Sequence, residues 1–265
     1  MDTYQPKKKS VVKKIFLGIW YALLLTVFVI LMIKQLSPVS KLNHYLNSIE
    51  SDSLYIKNQK AIDNHADLVD ITREEAYVNA LLDISLSDSA QLALNLKDST
   101  ICLYLKGVKV HEARIKEPDV DMILRQLPNS HYLWLFSSPI HVNDQYATFE
   151  KEPIIVKDAP KDTIEAAANN EIIIRENEPA FVHLKMAHDI DLIIEQDSVG
   201  DNRTKWARYE FNYNIIKEDY LRTIKGFFSS GKMTTQAVIR LKIPTNDLVS
   251  LYRALPHNAE IVIRY

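Results

Sequence analysis

The sequence predicts one N-terminal transmembrane helix followed by a mainly β, β-rich α+β exported domain. Three features carry this expectation. Ile15 to Ile33 is an uncharged apolar run, lysines cluster before it, and short strand-like segments separated by turn residues fill the remainder.

The apolar run comes first in the chain. Nineteen residues separate the flanking lysines Lys14 and Lys34, and at about 1.5 Å per residue a helix of that length covers nearly 30 Å of hydrocarbon. Five lysines precede it (Lys7, Lys8, Lys9, Lys13 and Lys14) and one follows. The positive-inside rule then keeps the N-terminus cytoplasmic and places the domain in the periplasm, single-pass in a bacterial inner membrane. A cleaved signal peptide is the alternative. The run exceeds the usual cleavable core, and Lys34-Gln35-Leu36-Ser37-Pro38 is a poor small-residue cleavage site, which favours an uncleaved signal anchor. The expected divisions are a basic tail over 1–14, the anchor over 15–34, a stalk and helical connector over 35–83, and the exported domain over 84–265.

Residues 1–34 carry a net charge of +5, which leaves −7 for 35–265 out of a whole-chain charge of −2. An acidic domain lacks the basic footprint that phosphate binding needs, so no nucleic-acid partner is expected.

Within the stalk, Leu42, Leu46 and Ile49 recur at helical spacing. Thr72-Arg73-Glu74-Glu75 has the form of a capping box opening a helix through Leu82. Gln91 to Leu96 alternates with the strand period, Lys97-Asp98-Ser99 turns, Thr100 to Leu105 extends, Lys106-Gly107 turns, and Val108 to Ile115 extends again. Pro118-Asp119-Val120-Asp121 is expected to start a short helix through Leu127. Residues 131–156 read as strands and Lys161 to Asn169 as a helix. Glu171 to Arg175, Phe181 to Met186 and Leu192 to Ile194 read as strands. Ala207 to Ile216 reads as another, with Tyr209, Phe211 and Tyr213 on one face. Gln236 to Ile243 is a strand, Asp247 to Leu255 an amphipathic helix, and Ala259 to Tyr265 a closing strand.

That C-terminal unit resembles the end of the L,D-transpeptidase catalytic domain, the cysteine enzymes that cross-link peptidoglycan. The residues concerned are Thr235-Gln236-Ala237-Val238-Ile239-Arg240-Leu241, then Asp247 to Pro256, then Glu260 to Arg264. The segments Leu92 to Leu96 and Cys102 to Gly107 are similar to the opening hairpin of the same family. The resemblance implies that Val238 stands where the family keeps its nucleophilic cysteine and Gln236 where it keeps the preceding histidine. The family's upstream histidine falls near Ile194. Valine offers no lone pair for a thioester, so the implied catalytic site is empty and Gln236, Ala237, Val238, Ile239 and Arg240 are degenerate motif positions.

Other constellations read as structure. The single cysteine, Cys102, lies in an apolar run and reads as a packing residue, and one cysteine supports neither an internal disulfide nor a cysteine zinc site. His183, His188, Asp189 and Asp191 have a spacing awkward for convergence on a metal, because strand side chains at odd separations face opposite ways. Ser229-Ser230-Gly231-Lys232 lacks the first glycine of a phosphate loop and reads as a solvated turn. No cofactor is expected. Asp-Ser or Asp-Thr followed by an apolar residue or Thr recurs at Asp52, Asp88, Asp98, Asp162 and Asp197. The pattern resembles the O-glycosylation motif of exported Bacteroidota proteins, and equally suits turns and caps.

Together these features predict a cell-envelope pseudoenzyme that binds peptidoglycan or a partner protein. The alternatives are an active cell-wall enzyme with an unrecognised site, or a subunit of an envelope secretion or division complex.

Overall fold

The structure, a computed structural model, describes residues 13–26, 28, 66–151, 178–198, 200–230 and 236–265. The chain divides into two compact units, Met1–Ser48 and Ile49–Tyr265.

In the first unit, residues 13–26 are helical. Among the described residues no helix is long and apolar enough to cross a membrane. The expected transmembrane signal anchor, and the inner-membrane and periplasmic placement built on it, are corrected accordingly. The end of the apolar run and the stalk stripe of Leu42, Leu46 and Ile49 lie outside the described residues, as do Lys161 to Asn169 and Glu171 to Arg175.

The second unit is a mixed α+β domain rather than a mainly β one. Its elements are α1 (Ala66–Ser85), β1 (Gln91–Asn95), β2 (Thr100–Leu105), β3 (Val108–Arg114), β4 (Lys116–Val120), α2 (Met122–Arg125), α3 (Asn129–Phe136) and β5 (Ile140–Ala147). There follow β6 (Phe181–Met186), β7 (Ile190–Gln196), α4 (Asn202–Ser230), β8 (Ala237–Ile243), α5 (Thr245–Ala254) and β9 (Glu260–Arg264). The nine strands form one sheet in the order β3-β2-β1-β9-β5-β6-β7-β8-β4. The β1–β9 and β7–β8 pairs are parallel and the others antiparallel.

The edge strands β3 and β4 are joined by Ile115 alone. A connection of one residue brings the end of one edge strand to the start of the other, so the sheet closes on itself at that corner. The two halves meet along β5, whose first residues Ile140 and His141 pair with β9 while Val142 to Ala147 pair with β6. A register shift between Val142 and Asp144 marks the change of partner.

The β1–β2–β3 meander lies where the alternation placed it. Lys106 and Gly107, at φ 51° and 76°, form the tight turn between β2 and β3. Other expectations are corrected. Thr72 caps nothing, because α1 begins six residues earlier and the Thr72 hydroxyl donates to the Val69 carbonyl inside the helix. Pro118 sits in the edge strand β4, where a missing N–H is tolerated, and the short helix starts only after Asp121 accepts from the Ile123 N–H. Residues 129–136 are helical rather than extended.

The largest correction is α4, a helix of 29 residues across the expected strand Ala207 to Ile216. Phe211 is buried while Tyr209 and Tyr213 are exposed, so the apparent alternation sampled opposite sides of a helix. Phe211 packs with Phe181 and Ile193, flanked by Ala207, Ile215 and Val238. These contacts fix α4 on the β6–β7–β8 half of the sheet. On the other half, Tyr77, Ala80 and Ile84 of α1 pack on Ala93 and Val262. Strand alternation then turns Leu92, Leu94, Ile261 and Ile263 to the opposite, equally buried face.

Candidate functional site

The β6–β7 hairpin turns on His188 and Asp189, both at positive φ (60° and 54°), the type I′ geometry that fits strand twist. This turn sets Lys185 opposite Asp191 and His183 opposite Ile193. His183 and Asp191 thereby become diagonal neighbours on one face, with Nε2 and Oδ2 at 3.1 Å and both side chains buried. The contact is poorly aligned, and His183 Nε2 and Asp191 Oδ1 have no hydrogen-bond partner. The hairpin thus separates the four residues considered for metal binding. Two meet under α4, while His188 turns its ring edge-on to Trp134 at 5.0 Å, where burial lowers its pKa. Among the described residues no group of three or more His, Cys, Asp or Glu is arranged to hold a metal.

An open cleft of about 420 Å³ lies above this pair, between strands β5–β6 and α4. Its apolar side is built from Phe211, stacked on Tyr146 at 6.0 Å and tilted against Phe181 at 5.5 Å, with Ile215 and Leu221 beside it. Its polar side is built around Lys185, whose ammonium reaches Glu218 at 2.8 Å and Asp144 at 3.2 Å. Burial alone would lower the Lys185 pKa, but the bonds to Glu218 and Asp144 outweigh it and the net shift is upward. A lysine held protonated has no lone pair for Schiff-base chemistry. Among the described residues no Ser, Thr or Cys lines the cleft.

The degenerate motif positions divide by strand alternation. Ala237 and Ile239 are buried on the inner face of β8, whereas Val238 and Arg240 face outward. Gln236 is half-buried just before the strand. Val238 borders a second, shallower cleft of about 660 Å³, walled by Asp119, Asp121, Met122 and Arg125 with Arg240. Its carbonyl accepts from the Asp121 N–H at 2.9 Å, which ties β8 to the start of α2. Arg240 donates to Asn212 at 3.2 Å and to the fully buried Glu195 at 3.0 Å, and Glu195 also meets Arg208 of α4 at 2.9 Å. Arg240 is therefore committed to anchoring α4. Ile194, at the expected histidine position, is buried. Cys102 lines neither cleft, and burial pushes its thiol pKa up.

Sequence reasoning missed Lys185, Asp144 and Glu218. A lone lysine inside the apolar strand Phe181 to Met186 was the available signal, since a half-buried lysine needs carboxylate partners. Its partners come from β5 and α4, which no spacing rule connects to it.

No family model, no curated protein and no solved structure matches the chain. What the fold and clefts define is a mixed α+β domain with a helix-walled cleft on the outer side of a closed sheet.

Proposed function

We propose that the domain is a non-catalytic binding module whose ligand site is the cleft between β5–β6 and α4. The amphipathic build of that cleft carries the reading, with an aromatic floor at Phe211 and Tyr146 beside the Lys185–Glu218–Asp144 clamp. A floor of this kind accepts an apolar side chain, and the charged rim fixes the orientation of its neighbours. A short segment of a partner protein suits both. A peptide library panned on the full chain should yield sequences with an apolar anchor beside a charged residue. Binding should fall at least tenfold in Tyr146→Ala and in Leu221→Lys, both at exposed positions. Selected peptides that bind these variants as well as wild type would refute the site.

A second reading rests on Val238, which borders the other cleft. The similarity of residues 235–265 to the transpeptidase motif then supports a peptidoglycan stem peptide as ligand there. A soluble muropeptide whose binding is lost in Val238→Trp but kept in Tyr146→Ala would favour this reading over the first.

A further inference from the structure

Helix α4 carries a second apolar face, opposite the one that packs on the sheet. Trp206, Tyr209, Tyr213 and Ile216 are exposed at 71%, 65%, 55% and 54%. Their spacing of three, four and three residues forms a straight seam on one side of a helix. Thr204, Phe211 and Ile215 lie on the other side, toward the sheet. The rings are already ordered along the seam, with Trp206 edge-on to Tyr209 at 6.1 Å and Tyr209 stacked on Tyr213 at 6.5 Å. Three large aromatic side chains in one exposed row have no role in the core, and contiguous patches of this kind mark interaction sites.

We propose that this seam is a self-association surface on which a second copy of the chain docks, α4 against α4 in antiparallel orientation. Charge placement selects this occupant. Glu210 and Lys217 are both exposed and flank the seam on the same side. With Tyr213 of one copy against Ile216 of the other, Glu210 faces Lys217 of the second copy, and the two-fold axis makes that pair twice. A parallel pairing instead places Lys217 beside Asn212 of the second copy and loses both of those pairs. A lipid surface is a poorer match: Lys205 and Lys217 flank the seam as they would on an interfacial helix, but Glu210 stands between Arg203 and Lys217 on one flank, where anionic headgroups would repel it.

Aromatic side chains bury roughly 150–250 Å² each when covered, so the seam contributes roughly 500 Å² per copy and roughly 1,000 Å² in total. That is the low end for a specific interface. The expected dimer is therefore weak, with a dissociation constant on the order of 10 μM.

Sedimentation velocity of the full chain from roughly 1 to 200 μM should show a monomer–dimer equilibrium in that range. Tyr209→Ser/Tyr213→Ser should raise the dissociation constant about tenfold or more. Glu210→Lys and Lys217→Glu should each weaken the dimer, and combining them should restore it, because the exchanged charges again face their opposites. Circular dichroism of each variant separates lost association from lost folding. A chain that stays monomeric at 200 μM while binding phosphatidylcholine–phosphatidylglycerol vesicles through the same tyrosines overturns the proposal. So does association that survives Tyr209→Ser/Tyr213→Ser, or a double charge exchange that fails to restore the dimer.

Discussion

Replacing Phe211 with Ala tests whether residues 207–216 form a helix facing the sheet. Phe211 is fully buried, with Phe181 and Tyr146 as its aromatic neighbours and Ile193 beneath it. Deleting a buried phenylalanine ring removes its transfer free energy and leaves a cavity, together about 3–5 kcal/mol. The cavity here opens toward the cleft, so water can enter and the lower half of that range applies. For a folded unit of this size each kcal/mol moves Tm by about 2–4 °C, which predicts a fall of roughly 6–16 °C. Tyr213→Ala is the control, since that ring is exposed on the opposite side and surface changes usually stay within about 0.5 kcal/mol. Urea unfolding followed by circular dichroism measures both. Work at submicromolar protein keeps self-association out of the comparison. If Phe211 and Tyr213 lay on one face of a strand, the two substitutions would cost similar amounts. Equal costs, or a Phe211→Ala cost under 1 kcal/mol, would refute the helical packing.

Three further outcomes follow from buried or paired groups. Cys102 is buried and its thiol pKa is raised by that burial, so native alkylation near neutral pH should be slow and should accelerate on unfolding; Cys102→Ala should cost about 1 kcal/mol without disturbing ligand binding. His188 has a folded pKa lowered by burial, so the folded state binds fewer protons than the unfolded chain. Its contribution is present above the unfolded pKa of about 6.5 and is lost as pH falls below it, and His188→Asn, which tolerates the positive φ, should flatten the acid side of a stability–pH profile. Arg240→Met strips the buried Glu195 of one of two guanidinium partners and should cost about 3 kcal/mol by urea titration. Adding Glu195→Met should recover much of that loss, because the remaining Arg208 is half-exposed and solvates itself.

Local chemistry made the ends of the domain legible in the sequence. The β1–β2–β3 meander announces itself through Lys97-Asp98-Ser99 and Lys106-Gly107, and Leu248, Leu251 and Tyr252 mark α5 by their helical spacing. Over five residues, however, Tyr209-Glu210-Phe211-Asn212-Tyr213 fits a strand as well as a helix. The longer window decides it, since Ala207, Phe211 and Ile215 repeat at helical intervals and Thr204 extends the row. Thr72 misled for the opposite reason. A capping box states that a helix is near, but the same Thr can bond back to Val69 in a helix already running. The seam of Trp206, Tyr209, Tyr213 and Ile216 was present in the sequence all along, hidden because the strand reading placed Phe211 on its face.

The candidate site was less legible because it is assembled by sheet closure rather than by spacing. Lys185 looks like an ordinary polar position until β5 supplies Asp144 and α4 supplies Glu218. Those partners are brought in by pairings between segments 33 to 41 residues apart, and the order of strands is set globally. Ile115 shows why. A one-residue link between β3 and β4 reads locally as an interrupted strand, yet it forces the first and last strands of a nine-stranded sheet to adjoin. On the closed sheet Leu92, Leu94, Ile239, Leu241, Ile261 and Ile263 are all buried. The clefts described above lie on outer faces, and on the β6–β8 side α4 covers that face. One helix thus supplies both a cleft wall, through Phe211, Ile215 and Glu218, and an exposed aromatic row on its far side. Lys217 borders the cleft and flanks the row, so occupancy of the one should alter association through the other, a coupling that ligand-dependent sedimentation would reveal.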